Sequence, residues 1–357
     1  MTDIIVIGGG IAGVSAAARL SAHARVTLLE GEDALGYHAS GRSAALFEQN
    51  YGLPPVIALN KASAAHHQPY LSPRGFLLVA RAGEDAGFAA DAQTLKCPEI
   101  SVEEARAHVP ILNDQIARAA YHAEAWDIDT DRMIQDFART VRGNGGQVIT
   151  GAQVDRITRD AGWIVQCGDQ SYSAPLLVNA AGAWADQIAR LAGLSPIGTT
   201  PHRRSMARLP APGGHDVSRW PIFFGVGESW YAKPDAGKLL VSPADEDAAE
   251  PHDAWADDMV LAEGLDRYAQ HVTEPVTRVE TTWAGLRSFA PDRNLILGRD
   301  PQVPDFVWCA GQGGYGFQTA PAASQLLADL VLGRPPEIDA TMVAALSPAR
   351  FQLASVS

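Results

Sequence analysis

IIVIGGGIAG, residues 4–13, and the VSAAARL that follows at 14–20 decide the fold of this chain. The leading apolar residues predict a buried strand, the glycines a tight turn, and the small residues a helix packed closely on a sheet. A second apolar run, VTLL at 26–29, ends in Glu30. This order of strand, glycine turn, helix and acid-terminated strand predicts a dinucleotide-binding unit.

The spacing Gly8-x-Gly10-x-x-Gly13 gives each glycine a separate role. Gly8 allows the turn, Gly10 lets a pyrophosphate approach the backbone, and Gly13 lets the helix lie against the strand. Free N–H groups at the start of the helix then face the phosphates. The Glu30 carboxylate is expected to accept hydrogen bonds from a ribose diol. A glycine-rich turn in some other α/β protein is the alternative.

Length and charge limit the classes of function. A chain of 357 residues exceeds the usual size of a single hydrophobic core and predicts two domains. The composition, 46% hydrophobic and 19% charged, is that of an ordinary globular protein. The net charge of −13 argues against nucleic acid or an anionic membrane as the main partner. A small anionic substrate is still compatible with this charge, because local arginines set the field of a single pocket.

The three cysteines, Cys97, Cys167 and Cys309, lie far apart and show no CxxC motif or metal-ligand spacing with histidines. Such sparse cysteines predict reduced thiols and no metal site. The apolar N-terminus lacks the basic residues of a signal peptide. No apolar run reaches the roughly 18 residues of a membrane-spanning helix. We therefore expect a cytoplasmic protein without an integral membrane segment.

Two further strand–turn units follow along the chain. LLVN at 176–179 leads into AAGAW at 180–184, where small residues allow a second backbone segment to approach the dinucleotide. FVWCAG at 306–311 leads into a glycine turn at 311–317, and a helix is predicted over 322–332. Since both ends of the chain carry such units, the simplest topology returns the C-terminal segment to the N-terminal sheet.

The segments between these units predict a polar loop and a second domain. Arg42 could hold a pyrophosphate or a ring edge, and Ser43-Ala44-Ala45 are expected to open a helix. An ordinary polar loop is the alternative. Residues 196–280 are rich in Pro, Trp and charge, and the turn at 234–237 predicts a β-hairpin.

Together these motifs resemble the superfamily of FAD enzymes that contains the D-amino acid, glycine and sarcosine oxidases. The resemblance rests on the first glycine motif with Glu30, on VNAAGAW at 178–184 and on GQGGYG at 311–316. The chain is especially similar to the bacterial flavin-dependent D-arginine dehydrogenases. The strings that carry this similarity are GYH at 36–38, GRSAA at 41–45, LSPR at 71–74, DIDTD at 127–131, YAKPDAG at 231–237, TWAGLRSF at 282–289 and GGYGFQT at 313–319.

The resemblance implies an α/β fold with an FAD-binding Rossmann-like domain of the glutathione-reductase type and an inserted mixed-sheet α+β substrate domain. The implied FAD-binding domain comprises residues 1–70, 126–195 and 281–357, and the implied substrate domain residues 71–125 and 196–280. FAD is expected to bind without a covalent link. No cysteine stands just ahead of Pro291-Asp292, where sarcosine oxidases attach their flavin.

The resemblance also implies site residues. The cofactor-binding set is Gly8, Gly10, Ile11, Ala12, Gly13, Glu30, Arg42, Ser43, Ala44, Ala45, Val154, Ala181, Gly182, Trp184, Gly313, Gly314, Tyr315, Gly316, Phe317, Gln318 and Thr319. The catalytic set is Arg204, Tyr231, Arg287, Tyr51, Gly314 and Gln318. In it the arginines and tyrosines bind the substrate carboxylate, and the Gly314 carbonyl and Gln318 side chain lie near the substrate amine and the flavin. A planar guanidinium suits this role, because it binds a carboxylate through two parallel hydrogen bonds.

The implied reaction is oxidative deamination of a D-amino acid. Hydride passes from Cα to flavin N5, and the imino acid hydrolyses to a 2-oxo acid and ammonia. The electron acceptor is oxygen or a quinone. The alternatives are a glycine- or sarcosine-type secondary amine oxidase, an L-2-hydroxy-acid dehydrogenase of the same fold, and a non-catalytic flavin- or nucleotide-binding module. An NAD-only dehydrogenase is disfavoured, because the C-terminal glycine unit would then have no ligand.

Departures from the D-arginine enzymes bear on substrate choice. Phe76 stands where those enzymes place an acid that meets the cationic end of the substrate, and Leu46 replaces a histidine. Burying a basic side chain against an aromatic ring without a counter-charge is costly. The sequence therefore predicts D-amino acids with neutral or apolar side chains. Glu48 is near enough in sequence to return an acid to the pocket.

Overall fold

The computed structural model describes residues 2–351, so residue 1 and residues 352–357 of the predicted domain ranges lie outside it. The strands are β1 Ile4–Ile7, β2 Val26–Leu29, β3 Leu46–Phe47, β4 Leu71–Pro73, β5 Phe76–Arg81, β6 Glu99–Ile100, β7 Ile116–His122, β8 Trp126–Ile128, β9 Gln147–Ile149, β10 Arg156–Arg159, β11 Trp163–Cys167, β12 Gln170–Ala174, β13 Leu176–Asn179, β14 Thr200–Leu209, β15 Ile222–Gly225, β16 Tyr231–Asp235, β17 Lys238–Ser242, β18 Thr281–Phe289, β19 Ile296–Arg299 and β20 Phe306–Ala310.

The α-helices are α1 Ile11–Ser21, α2 Pro54–His67, α3 Asp85–Thr94, α4 Val102–His108, α5 Thr130–Gly143, α6 Ala185–Leu191, α7 Asp258–Ala269, α8 Gly316–Leu332 and α9 Ala340–Leu346. Short 3-10 turns lie at Gln68–Tyr70, Gly182–Trp184, Pro212–Gly214, Val226–Glu228 and Pro348–Phe351.

The N-terminal strand lies inside a six-stranded sheet with the order β19-β20-β13-β1-β2-β9. β1 pairs in parallel with β2 and β13, and β13 pairs in parallel with β20. The C-terminal strand thus returns to the N-terminal sheet, as the sequence predicts. Parallel strands end at one edge of the sheet, so the glycine turns after β1, β13 and β20 meet there.

Alternation along β1 explains the layers around this sheet. Ile4 and Val6 face a core that contains α1, α5 and α8, whereas Ile5 and Ile7 face a second core built partly by β10, β11 and β12. Those three strands form an antiparallel sheet of their own, in which β11 and β12 are a hairpin. Both faces of the parallel sheet are covered, which is why its central strands are apolar throughout. These layers are those of the predicted FAD-binding α/β fold.

A mixed eight-stranded sheet has the order β18-β14-β17-β16-β15-β5-β7-β6. β5 pairs in parallel with β15, and the other pairings are antiparallel. One face of the sheet packs against α4 and α7, and the other carries the apolar cluster around Phe76 and Tyr231. β18 belongs to this sheet. The predicted domain division assigns residues 281–289 to the FAD-binding part although β18 pairs with β14, and the division stays a prediction.

Two local predictions were wrong. Ser43, Ala44 and Ala45 have no regular secondary structure and lead into β3 instead of opening a helix. The cause is tertiary, because Lys233 Nζ donates to the Ala44 carbonyl at 2.7 Å and β3 pairs with β8. The C-terminal helix α8 begins at Gly316 rather than at residue 322.

Side chains of α2 satisfy the backbone of α8 around Pro321, which has no N–H to donate. Ser63 and His67 are both fully buried. His67 Nε2 lies 2.9 Å from the Gln318 carbonyl oxygen, and Ser63 Oγ donates to the Thr319 carbonyl at 3.3 Å. Ser63 Oγ also accepts from the N–H of Ala322 at 3.1 Å. The first turns of α8 are therefore held in place by α2.

We expect Gly13→Ala to destabilise the protein, because an added Cβ would run into the Gly8 carbonyl oxygen and lie 3.3 Å from Ala180 Cβ. Overpacking of this kind lowers the free energy of unfolding by about 1–3 kcal/mol. Urea unfolding of flavin-free protein measures it. Gly143→Ala is the control, because a Cβ at Gly143 has no neighbour within 4 Å. Equal stability of the two variants would contradict the proposed packing.

The pH dependence of stability tests the role of His67. Burial lowers the pKa of His67 from its usual 6.5 to about 4, although its hydrogen bond to Gln318 opposes the shift. Between these pH values the unfolded chain binds more protons, so the free energy of unfolding decreases as the pH falls. This one histidine accounts for about 3 kcal/mol of that loss.

The measurement is the difference between wild type and His67→Gln over pH 4 to 6.5. Gln keeps a donor but does not titrate, so we expect a flatter profile in the variant. Other titrating groups are shared and cancel in the comparison. Parallel profiles would show that His67 is not buried in its neutral form.

Candidate active site

A cavity of about 390 Å³ is lined both by the glycine turns of the parallel sheet and by the eight-stranded sheet. The predicted cofactor residues in its wall are Gly8, Gly10, Ile11, Ala12, Glu30, Arg42, Ser43, Ala44, Ala45, Val154, Ala181, Gly182, Trp184, Gly313, Gly314, Gly316, Phe317 and Gln318. Gly13, Tyr315 and Thr319 are not in the wall, and Gly13 instead supports the turn from behind. The predicted catalytic residues in the wall are Arg204, Tyr231, Arg287, Gly314 and Gln318.

One end of the cavity carries groups that can bind the phosphates and a ribose of a dinucleotide. Helix α1 begins without a side-chain cap and without an acid in its first turn, so its positive end is free for phosphate. Ser40, which the sequence did not single out, lines the cavity and accepts from the N–H of Ile11 at 3.0 Å. Glu30 accepts from the N–H of Gly9 at 2.5 Å and is fixed beside the turn. A ribose diol suits that position.

A second uncapped helix end lies at the same cavity. Helix α8 begins after Tyr315 with no side-chain cap, and Gly314 and Gly316 line the wall there. Gly313 has φ +52°, and a Cβ on it would run into the Phe289 ring. The backbone can follow this path only as glycine. Two positive helix ends in one cavity fit FAD, with the pyrophosphate at α1 and the electron-accepting ring near α8.

Arg42 makes three hydrogen bonds to groups distant in the sequence. Its guanidinium donates to the carbonyls of Ala254 at 2.9 Å and Ala284 at 3.0 Å, and to Asp253 at 2.5 Å. Asp253 also accepts from the Tyr37 hydroxyl at 3.3 Å. Arg42 thus lines the cavity but ties the cofactor loop to residues 253–254. No local pattern marks this segment, because it lies more than two hundred residues from Arg42 in the chain.

The sheet register brings two arginines together. Arg204 pairs with Gly285 and His202 with Arg287, so Arg204 and Arg287 are diagonal neighbours on one face of β14 and β18. Among residues 2–351 neither has a carboxylate partner within ion-pair distance. Arg203 points to the opposite face and pairs with Asp245 at 3.2 Å and with Asp247. The cavity therefore holds two unneutralised guanidinium groups, which suit an anionic ligand.

Tyrosine hydroxyls surround Arg287. Burial, then the nearby charge of Glu228, raises the pKa of Tyr51 well above its usual value of 10. Burial lowers the pKa of Arg287, but the influence of Tyr231 and Tyr51 outweighs it and the net shift is upward. Tyr51 is not in the cavity wall and packs edge-on against Tyr315 at 5.5 Å. Its hydroxyl stays protonated at neutral pH and acts as a hydrogen-bond donor.

Glu228, which the sequence analysis did not single out, lies outside the cavity wall but near Tyr51 and Arg287. It lies in the turn Val226–Glu228 with φ +51°, and its charge acts on Tyr51, Arg287 and Tyr315. Nothing in the local pattern marks it, because Tyr51, Arg287 and Tyr315, on which its charge acts, are distant in the chain. Two arginines and one glutamate leave this end of the cavity with a net positive charge.

The rest of the substrate side is apolar. Cross-strand pairs align Met206 with Trp283, Tyr231 with Phe224, and Phe224 with Leu78. These side chains belong to one buried cluster on the cavity side of the sheet. An apolar group extending from the arginines would lie against this row.

The three predicted specificity residues occupy different positions. Leu46 lines the cavity. Phe76 lies behind the wall, 6% exposed, with its ring 4.5 Å from that of Phe224 and 5.3 Å from that of His122. Glu48 is also absent from the wall and is 2% exposed. Burial raises the pKa of the Glu48 carboxyl.

The described part of the chain contains no metal-binding cluster, no disulfide and no membrane-spanning helix. Within residues 2–351 no group of three or more His, Cys, Asp or Glu side chains is placed to hold a metal ion. Cys97, Cys167 and Cys309 are buried and unpaired. No helix in this range is long and apolar enough to cross a bilayer.

Comparisons with known proteins agree with this geometry. The family model described as FAD dependent oxidoreductase matches residues 3–330. FAD-dependent oxidoreductase domain-containing protein 1 of Bos taurus is 25% identical over 399 residues, which cover 93% of this chain and 81% of the relative. Glycine oxidase of Bacillus licheniformis is 24% identical and covers 93% of this chain and 94% of its own.

A solved structure shares the fold. L-proline dehydrogenase from P. horikoshii superposes with a TM-score of 0.84 at 21% identity, over 99% of this chain and 98% of the other. The uncapped ends of α1 and α8 and the wall between them fit the cofactor of this family. The chain belongs to the FAD dependent oxidoreductase (DAO) family and is an FAD enzyme.

Proposed function

We propose that this protein catalyses the oxidative deamination of D-amino acids with neutral or apolar side chains. The observation that carries the proposal is the pair Arg204 and Arg287, unneutralised and next to the apolar row that includes Met206 and Phe224. Such a pocket binds a carboxylate at one end and an apolar group at the other. The D configuration follows from the motif resemblance to the D-arginine dehydrogenases.

The arginine pair would fix the substrate carboxylate. A bidentate guanidinium–carboxylate contact sets both position and orientation, and Tyr231 in the cavity wall adds a hydroxyl donor at the same end. Gly314 permits this arrangement, because a Cβ there would lie only 3.1 Å from Arg287 Nη1. With the carboxylate fixed, the rest of the substrate has few orientations left.

The reaction requires the protein to orient the substrate Cα towards the flavin. When bound, FAD accepts a hydride at N5 from the substrate Cα, which must approach to about 3–3.5 Å. The amine must be neutral at that point, and the protonated Tyr51 is not a base for it. The positive ends of α1 and α8 favour negative charge in the cavity. Buried aromatic residues, among them Phe76 and Phe224, exclude water from the side-chain end.

Two other substrate classes would use the same arginines. A glycine- or sarcosine-type amine oxidase is favoured by the similarity to a glycine oxidase over 93% of this chain. An L-2-hydroxy acid presents the same carboxylate but no amine. Assays with glycine, sarcosine and L-lactate distinguish both from the proposed reaction.

The direct test is anaerobic reduction of the bound flavin, followed by its visible absorbance. We expect D-Met, D-Leu and D-Phe to bleach the flavin and their L-enantiomers to leave it oxidised. D-Arg should bleach it more slowly, because its guanidinium has no acid at the position of Phe76. A preference for D-Arg, or bleaching only by glycine, sarcosine or L-lactate, would refute the proposal.

The reduced flavin must pass its electrons to an acceptor, which a second experiment identifies. Oxygen and a quinone are the two candidates. With a substrate that bleaches the flavin, oxygen uptake during turnover is compared with reduction of a soluble quinone. The faster of the two reoxidations identifies the acceptor class.

Replacing Arg287 tests the carboxylate site. Arg287→Met removes the guanidinium but retains length and apolar contact. Loss of a buried charge pair costs about 2–5 kcal/mol, so kcat/KM for D-Met should fall at least about 30-fold. Arg219→Met is the control, since Arg219 is exposed and outside the cavity. An unchanged kcat/KM in the Arg287 variant would show that the carboxylate binds elsewhere.

A further inference from the structure

The loop at residues 42–45 is part of the cavity wall and is held by side chains that lie behind it. All four residues line the cavity. Trp283 Nε1 donates to the Arg42 carbonyl at 3.1 Å, and Lys233 Nζ donates to the Ala44 carbonyl at 2.7 Å. Neither Trp283 nor Lys233 lines the cavity itself. Both belong to the eight-stranded sheet, so this sheet fixes a segment of the cofactor wall.

Lys233 is placed by strand β16. Alternation puts its side chain on the same face of the sheet as Tyr231, which lines the cavity. Lys233 is only 8% exposed, so the Ala44 carbonyl replaces water as an acceptor for its ammonium. A hydrogen bond from a charged donor is about twice as strong as one between neutral groups. One strand therefore carries both a wall residue of the substrate side and an anchor of the loop.

The flavin ring belongs at this part of the cavity. Ala44 packs against the apolar cluster that contains Met206 and Tyr231, both of which line the substrate side of the cavity. The start of α1 suits the pyrophosphate, so the electron-accepting ring lies towards the substrate side. Hydride transfer requires the ring to contact the substrate there. Ala44 is thus a wall residue for the ring end of FAD.

Lys233 shares one carboxylate with Arg74. Asp127 on β8 lies 2.9 Å from Lys233 Nζ and accepts from Arg74 Nε at 2.7 Å. Within residues 2–351 neither cation has a second carboxylate within ion-pair distance. The three side chains therefore carry one net positive charge. They are 10–18% exposed, so solvent ions screen this charge only weakly.

A buried positive charge behind the wall affects the redox chemistry of the ring. Reduction adds negative charge to the flavin, and a nearby cation stabilises the reduced form more than the oxidised form. The Lys233 ammonium, one residue behind the cavity surface at Ala44, therefore raises the reduction potential. The neutral Trp283 Nε1–H holds the same loop without adding a charge.

We propose that Lys233 is a positioning residue of the flavin site, which anchors the loop at residues 42–45 and places a positive charge behind it. It thereby strengthens FAD binding and raises the reduction potential of the bound flavin. The inference goes beyond the proposed function, because it concerns FAD and holds for every substrate class considered above.

Lys233→Met removes the ammonium and retains the length of the side chain. Asp127 keeps Arg74 as its partner, so the variant leaves no buried carboxylate without a counter-charge. The dissociation constant of FAD, measured by flavin fluorescence on titration of flavin-free protein, should rise at least tenfold. At saturating FAD, the midpoint potential of the bound flavin should become more negative. Lys233→Arg retains a charged donor and should restore both quantities.

The matched control is Lys238→Met. Lys238 lies on the neighbouring strand β17 and also shares a carboxylate with an arginine, since Glu280 pairs with both Lys238 and Arg278. None of these three residues lines the cavity. We expect wild-type FAD affinity and potential in this variant. Equal values in Lys233→Met and Lys238→Met would overturn the inference.

Trp283→Phe separates the effect of the charge from the loss of an anchor. It removes the hydrogen bond to the Arg42 carbonyl and retains an aromatic ring. We expect weaker FAD binding and an unchanged potential. A potential that falls as far as in Lys233→Met would overturn the inference, because distortion of the loop would then account for it.

Lys233→Gln provides the same test if Lys233→Met does not fold. It removes the charge and retains an amide donor, so the potential should again become more negative. A wild-type potential in Lys233→Gln would overturn the inference. These measurements use no amino acid, so their outcome is independent of whether D-amino acids bleach the flavin.

Discussion

The structure depends on the close packing of the first turn of helix α1 against the backbone just after strand β1. At Gly13, helix α1 lies directly on the carbonyl of Gly8, and a side chain at either position would collide with main-chain atoms at Ala180 or Gly8. This contact brings the start of α1 to the edge where β1 and β13 end. It also leaves the first N–H groups of the helix facing the cavity, where they favour phosphate. The cofactor site is a direct consequence of this packing.

The substrate side is organised by strand alternation across two neighbouring strands. Adjacent arginines in the sequence point to opposite faces, so Arg203 is neutralised by aspartates while Arg204 enters the cavity. The register of β14 and β18 then places Arg287 beside it. The same alternation aligns the apolar row that ends at Leu78. The charged and apolar ends of the pocket thus follow from one sheet.

The loop at residues 42–45 is held in place by residues that are distant in the sequence. Ala44 is held by a buried lysine, Lys233, and Arg42 is held by the segment around Asp253. Local propensity favours a helix in this small-residue loop, but these tertiary hydrogen bonds hold the backbone in an irregular path instead. Helix α2 likewise holds α8 through side-chain hydrogen bonds to its backbone, where Pro321 interrupts the regular backbone hydrogen bonds of the helix. Buried polar groups therefore position the cavity wall as much as apolar packing does.

The sequence alone determined the parallel sheet, its glycine turns and most of the cofactor wall, because Gly8, Gly10 and Glu30 act within one short unit whose spacing is fixed by backbone geometry. It also identified Arg204 and Arg287 through a resemblance, but not how they meet. Only the tertiary structure decided that, because their proximity depends on the register of two strands distant in the chain. The same holds for the effect of Glu228 on Tyr51 and Arg287. Their chemistry comes from neighbours that no local pattern encodes.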